Sequence, residues 1–138
     1  MTTIIWDGTH LISDSQVTQG ETKDTIQKIH KVKTPYGIRL VAFAGAIGHA
    51  PEVLALVSQG ADPTQLVGED AQVLVISKEA AVLVNNKESW KQAPPVVIGS
   101  GTMAAKAVLA LGYSAEVAVK VACQVDLYSS TPIKKLKL

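Results

Sequence analysis

Thr2 follows Met1, and removal of that methionine would leave a threonine hydroxyl and a free α-amine on one residue. The hydroxyl alone is too weakly acidic to attack an amide at neutral pH. An α-amine, with a pKa of about 8, can take the proton directly or through one water. The residue would then be a nucleophile carrying its own base, and the chemistry is acyl transfer from an amide. Retention of Met1 would block the nitrogen. Lys28 is a second group of interest. In the alternation of residues 25–33 it shares a face with Ile26, His30 and Val32, while Gln27, Ile29 and Lys31 take the other. A lysine on an apolar face seeks a carboxylate or protrudes to solvent.

Other chemistries find less support. His10, His30 and His49 lack metal-ligand spacing, so no metal is expected. Gly45-Ala46-Ile47-Gly48 and Gly99-Ser100-Gly101 are incomplete as phosphate loops, and no Gly-Lys-Ser/Thr follows them, so no nucleotide cofactor is expected. Cys123 is the single cysteine, which excludes an internal disulfide and a cysteine metal cluster; Val121, Ala122 and Val125 around it suit a buried helix thiol.

These residues need elements to hold them. Residues 2–6 and 10–13 are β-prone runs around Asp7-Gly8, a hairpin signal. Residues 25–33 and 38–43 make a second hairpin through Thr34-Pro35-Tyr36-Gly37, and 72–77 with 80–84 a third around Lys78-Glu79. Pro51 suits the first turn of a helix running to about Ser58, stopped by residues 59–63. Residues 96–98 read as a short buried strand ending at Gly99. From Thr102 the period becomes helical: Ala104, Ala107, Val108 and Leu111 share a face, and Ser114 caps a second helix carrying Val117, Ala118, Val121, Ala122 and Val125. A β-prone tail runs from Pro132 to Leu138. Antiparallel hairpins interrupted by separate helices argue for an α+β fold of two sheets covered by helices.

The 138 residues, 47% apolar, fit a single domain spanning 1–138 without repeats or linkers. A net charge of +1 gives no basic field, so neither nucleic acid nor an anionic membrane is an expected partner. The start has no basic region followed by a long apolar stretch, and no apolar run reaches the ~18 residues of a spanning helix. A soluble, cytoplasmic protein is the expectation.

The ordered set of segments resembles the proteasome β-subunit family, and within it the proteasome-like peptidase subunit of the bacterial two-component ATP-dependent protease. Thr2-Thr3-Ile4-Ile5 is similar to the family's Thr-Thr-Ile-Val start. Residues 14–20, Asp14-Ser15-Gln16-Val17-Thr18-Gln19-Gly20, keep its Asp, Gln, Thr and Gly at family spacing. Ile26-Gln27-Lys28-Ile29 resembles the strand with the active-site lysine, Phe43-Ala44-Gly45 the Ala-Gly-Gly turn, and Gly99-Ser100-Gly101 the Gly-Ser-Gly. Asp126-Leu127-Tyr128-Ser129 preserves an Asp-x-x-Ser spacing.

The resemblance implies a four-layer α-β-β-α sandwich of the N-terminal nucleophile hydrolase type. It implies that Thr2 attacks a peptide carbonyl, that Lys28 lies beside it, and that Asp14 holds Lys28 charged. The Gly45 N–H would be an oxyanion donor, and Ser100, Asp126 and Ser129 would surround the Thr2 amine. Val17, Thr18, Ile26, His30, Phe43 and Ile47 would form the substrate pocket, with none of them acidic. A homo-oligomeric ring, a peptide or unfolded-protein substrate and an ATP-dependent unfoldase partner follow from the same source, with no cofactor.

Each residue has an ordinary structural reading too: Asp14 as a turn residue, Lys28 as a solvated strand lysine, Gly45 as a tight bend, Ser100 as a helix cap, Asp126 or Ser129 as a helix ending. The chain also departs from the family pattern. Ala46 replaces the second glycine of the turn, and His49 stands where an Asp often follows. Residues 59–72 are too short and polar for the family's full second helix, so one helical layer should be trimmed. Two functions result: a self-compartmentalising threonine peptidase, or a noncatalytic proteasome-like scaffold for assembly or interaction. Retained Thr2, Asp14 and Lys28 favour the first, and a retained Met1 would favour the second.

Overall fold

The computed structural model describes residues 2–19 and 21–138. Met1 and Gly20 lie outside the described residues, and with them the expected removal of Met1 and the glycine closing the Asp14 motif. The described residues form eleven strands and three α-helices, an α+β chain as expected. In order these are β1 (Ile4–Trp6), β2 (His10–Ser13), β3 (Gln16–Gln19), β4 (Thr22–Thr25), β5 (Ile29–Thr34) and β6 (Gly37–Gly45). Then come α1 (Ala50–Ser58), a 3-10 turn (Thr64–Leu66), β7 (Ala71–Ile76), β8 (Ala81–Asn85), β9 (Glu88–Gln92) and β10 (Val96–Ile98). Last are α2 (Thr102–Ala110), α3 (Ala115–Val125) and β11 (Lys134–Lys137).

All strand pairs are antiparallel. One sheet runs β10-β1-β2-β11 and another β5-β6-β7-β8-β9, while β3 and β4 make a separate ribbon. The first hairpin closes as the Asp-Gly signal suggested: the Asp7 carboxylate accepts the N–H groups of Thr9 and His10, and Gly8 takes the left-handed φ of +98°.

Period-two alternation decides which layer each strand residue joins. In β1, Ile4 and Trp6 face the second sheet, where they meet Ile29, Leu40, Ala42, Leu74, Ile76 and Leu83. Ile5 and its register partner Ile12 face the other way, onto Ala105, Ala115, Ala118 and Val119 of α2 and α3. In β6, Leu40 and Ala42 turn to the inter-sheet core, whereas Val41 and Phe43 turn outward to Val53 and Val57 of α1. Because β1 is covered on both faces, it reads as an unbroken apolar run rather than an alternating one. α3 starts at Ser114, whose hydroxyl accepts the Val117 N–H as expected of a cap.

Besides the β3 and β4 ribbon, to which the sequence reading assigned no strand before Thr25, two segments differ from it. Residues 25–33 are not one strand: β4 ends at Thr25, β5 begins at Ile29, and Lys28 sits in the break. There the Ile26 N–H donates to the Ser15 carbonyl and the Phe43 N–H to the Lys28 carbonyl, at 2.7 and 3.0 Å. Turning the Lys28 side chain inward to a carboxylate outweighs continuing the pleat. β9 is the second difference. All five of its residues are exposed, so no hydrophobic alternation announces it. Its signal is the turn before it, where Asn86 and Lys87 both have positive φ, the twist a two-residue hairpin needs.

Candidate active site

Thr2 leads into β1 and is buried. Lys28 Nζ donates to Thr2 Oγ1 at 2.6 Å and to the Asp14 carboxylate at 2.9 and 3.1 Å. Asp14 is 0% exposed and Lys28 4%. A buried carboxylate needs full compensation. Asp14 obtains it from the ammonium and from three backbone N–H groups, those of Thr3, Gln16 and Ser130, at 3.0, 3.0 and 3.1 Å. The same burial pushes the Lys28 ammonium below the ordinary lysine range, against the opposing pull of Asp14. Lys28 thus presents to the Thr2 oxygen a charge that burial makes readier to give up its proton than that of a surface lysine.

A second set of contacts gathers at the Thr2 nitrogen, which donates to Ser100 Oγ at 3.1 Å. Ser100 Oγ donates to Asp126 Oδ2 at 2.7 Å, and Ser129 Oγ donates to the same oxygen at 2.6 Å. Ser100 stands just before α2, Asp126 just after α3, and Ser129 on the connection to β11. The two glycines beside Ser100 explain the Gly-Ser-Gly spacing. A Cβ at Gly99, where φ is +98°, would lie 2.0 Å from the Thr2 carbonyl oxygen, and one at Gly101 would lie 1.8 Å from Thr3 Oγ1. Only glycine lets the Ser100 backbone come this close to the N-terminal strand.

A cavity of about 450 Å³ opens at Thr2 and Lys28. Val17, Thr18, Ile26, Phe43, Gly45 and Ile47 line it. Gly45 has φ +83°, and a Cβ there would stand 2.2 Å from the Asp70 carbonyl oxygen. His30 does not line this cavity: it packs edge-on against Phe43, with ring centroids 5.7 Å apart, and burial lowers its pKa. The cavity also holds Asp24, the cross-strand partner of Val17, so its lining is not free of acidic groups as the sequence reading had it. That reading also missed Thr3 and Gln16. Thr3 Oγ1 is 2.7 Å from Ser129 Oγ, and the Gln16 amide reaches Thr18 Oγ1 and the Leu127 carbonyl. Cys123 is half-buried in α3, and burial pushes its thiol up to about 11, leaving it protonated at neutral pH. Among the described residues no group of three or more His, Cys, Asp or Glu is arranged to hold a metal ion, and no helix is long and apolar enough to cross a membrane.

No protein-family model and no curated protein matches the chain. Solved structures do match it. BPH of Thiobacillus denitrificans in complex with Epoxomicin superposes with a TM-score of 0.74 at 15% identity, over 99% of this chain and 97% of that one. A second structure of the same protein gives 0.71 at 14%, over 99% and 96%. Eukaryotic HslV from Trypanosoma brucei gives 0.66 at 20%, over 99% of each. At such identities the likeness is one of fold. The chain shares its fold with these proteins, and that is the proteasome-like fold its sequence segments implied.

Proposed function

We propose that the chain is an N-terminal threonine peptidase whose nucleophile, Thr2, is exposed by removal of Met1. The observation that carries this reading is the 2.6 Å contact from the buried Lys28 ammonium to Thr2 Oγ1, backed by Asp14. In a scaffold that arrangement would have little use, since a buried ion pair stabilises a fold no better than apolar residues of similar volume. Thr2 Oγ attacks the peptide carbonyl and its proton passes to the α-amine. The new oxyanion is met by the Gly45 N–H, while the Lys28 charge lowers the cost of the alkoxide. The amine then gives the proton to the leaving nitrogen, the C–N bond breaks, and an ester on Thr2 remains. Water, deprotonated by the same amine, releases the acid and restores the hydroxyl. Ser100, Asp126 and Ser129 hold the amine throughout.

In this reading residues 1–138 are one domain. The alternation of helices, sheet, sheet and helix is the four-layer sandwich, and α1 alone on the outer face of the second sheet is the trimmed layer. Copies assemble into a homo-oligomeric ring in the cytoplasm, peptides or unfolded proteins are cleaved inside it, and an ATP-driven unfoldase supplies them. The test combines intact mass with a fluorogenic peptide assay. Wild-type protein should begin at Thr2 and turn over, and Thr2→Ala should keep its fold and particle size but lose at least about a thousandfold in kcat. Near-normal turnover in a correctly processed Thr2→Ala protein rejects Thr2 as the nucleophile.

A further inference from the structure

We infer that Thr3 is a positioning residue whose side-chain hydroxyl sets the proton arrangement at the Thr2 nitrogen through Ser129, Asp126 and Ser100; the inference rests on the threonine-peptidase reading above. An ionised carboxylate only accepts, so Ser100 and Ser129 each spend their single hydroxyl proton on Asp126 Oδ2. The Ser129 oxygen then has only lone pairs to offer, and Thr3 Oγ1, 2.7 Å away, must be the donor between them. By the same count the Ser100 oxygen can only accept at the Thr2 nitrogen. The array therefore has one sense: Thr3 to Ser129 to Asp126 from one side, Thr2 to Ser100 to Asp126 from the other. Once Met1 is removed, an amine that keeps one N–H on Ser100 has its lone pair left for the Thr2 hydroxyl proton.

Packing does not require the Thr3 hydroxyl. The residue is 0% exposed, and at such a site a valine fills the same space without a polar group to satisfy. Its surroundings fix it closely. Its N–H is tied to Asp14 Oδ1 at 3.0 Å, and Gly101 presses so near to Oγ1 that no other residue fits there. Thr3 is thereby joined to both halves of the site, by its backbone to the Lys28 and Asp14 pair and by its hydroxyl to the Ser129 and Asp126 pair. Donation from Thr3 polarises the Ser129 hydroxyl and strengthens its bond to Asp126, which draws negative charge off that carboxylate. Without it Asp126 keeps more charge, and the protonated form of the Thr2 amine gains.

The experiment compares pH profiles of peptide hydrolysis for wild type, Thr3→Val and Thr3→Ser, each confirmed by mass to begin at Thr2. Thr3→Val should lower kcat by about threefold to tenfold, with KM within about twofold, and move the acid limb of kcat/KM to higher pH. Thr3→Ser should restore both. In a Ser129→Ala background Thr3→Val should cost nothing further, because its route to the amine is already cut. If Thr3→Val fails to fold, Thr3→Ala against Thr3→Ser provides the same contrast. An active wild type with an unmoved acid limb in Thr3→Val, or an equal further loss on top of Ser129→Ala, overturns the inference alone. A processed wild type that hydrolyses no peptide overturns the peptidase reading and this inference with it.

Discussion

Lys28 stands between two opposing pressures: burial, which favours its neutral form, and Asp14, which favours the charged one. The net direction is downward from the ordinary 10.5. If the charge on Lys28 is what makes the Thr2 hydroxyl attack, activity is lost as pH rises through the folded value, and the alkaline limb of kcat/KM must lie below 10.5. Asp14→Asn removes the group that holds the proton on, so the limb should move lower still. The same change leaves a buried ammonium without its counter-charge and should cost about 3–5 kcal/mol of stability in urea unfolding. With the folded pKa below the unfolded one, the unfolded chain binds more protons between the two, and stability rises with pH across that window. A limb at or above the free-lysine value, or one that Asp14→Asn leaves in place, would show that the Lys28 charge is not what activates the hydroxyl.

Loops rather than strands bring the site together, and their glycines are where a small change should travel furthest. Gly99→Ala would drive a Cβ into the Thr2 carbonyl at a φ of +98°. It should cost roughly 1–3 kcal/mol and, by displacing the proposed nucleophile, about a hundredfold in kcat. Gly112→Ala is the control. Its φ is +90° with nothing within 4 Å, so it carries the backbone strain without the displacement and should leave kcat unchanged. Equal kcat in the two variants would sink the account. These contacts mark the border of what the sequence could tell. The hairpins, the helix capped by Ser114 and the strand ending at Gly99 are written in local signals, namely an Asp-Gly turn, a cap and a change of period. The break before Ile29 is not, because it is set by a buried charge found across the fold, and β9, with no apolar face, has only the turn at Asn86 and Lys87 to mark it. The wall of the cavity at Thr2 shows the same division. Val17, Ile26, Phe43 and Ile47 follow from family spacing, but Asp24 arrives opposite Val17 only through the register of the β3 and β4 ribbon. Magnitudes decide between them. Burying a Leu-sized side chain is worth about 1.5–3 kcal/mol, while pairing a cation with an exposed carboxylate is worth about 0–1. A peptide panel varied before the scissile bond should therefore favour medium apolar residues, with Asp24→Asn lowering kcat/KM for lysine peptides alone. Highest activity on basic peptides would reverse the assignment.

At the scale of the whole molecule, the surface of the helical pair is what the proposed ring must account for. α2 and α3 are joined by a short turn and pack as a hairpin, which sets the start of α2 beside the end of α3. Their inward residues Ala105, Ala118 and Val119 are consumed on the first sheet. Met103 and Leu127, by contrast, are 86% and 83% exposed, with Tyr128 half-exposed next to them. A large apolar side chain left in water at each of these positions contributes nothing to the isolated chain, whereas a second copy laid over them would bury it at about 25 cal/mol per Å². A stable contact needs roughly 800 Å² per partner, so these residues can be its apolar centre but not its whole extent. The double substitution Met103→Glu with Leu127→Glu should therefore place two carboxylates at the centre of a contact between copies and shift sedimentation from an assembly toward single chains. Thermal unfolding of the single chain should be nearly unchanged, since neither side chain is buried within it. Unaltered sedimentation would show that the copies meet elsewhere, and Leu111 and Tyr113 at the other end of the hairpin would be substituted next. A wild-type chain that sediments alone at all concentrations would remove the ring while leaving the chemistry proposed for Thr2 to stand or fall on its own assay.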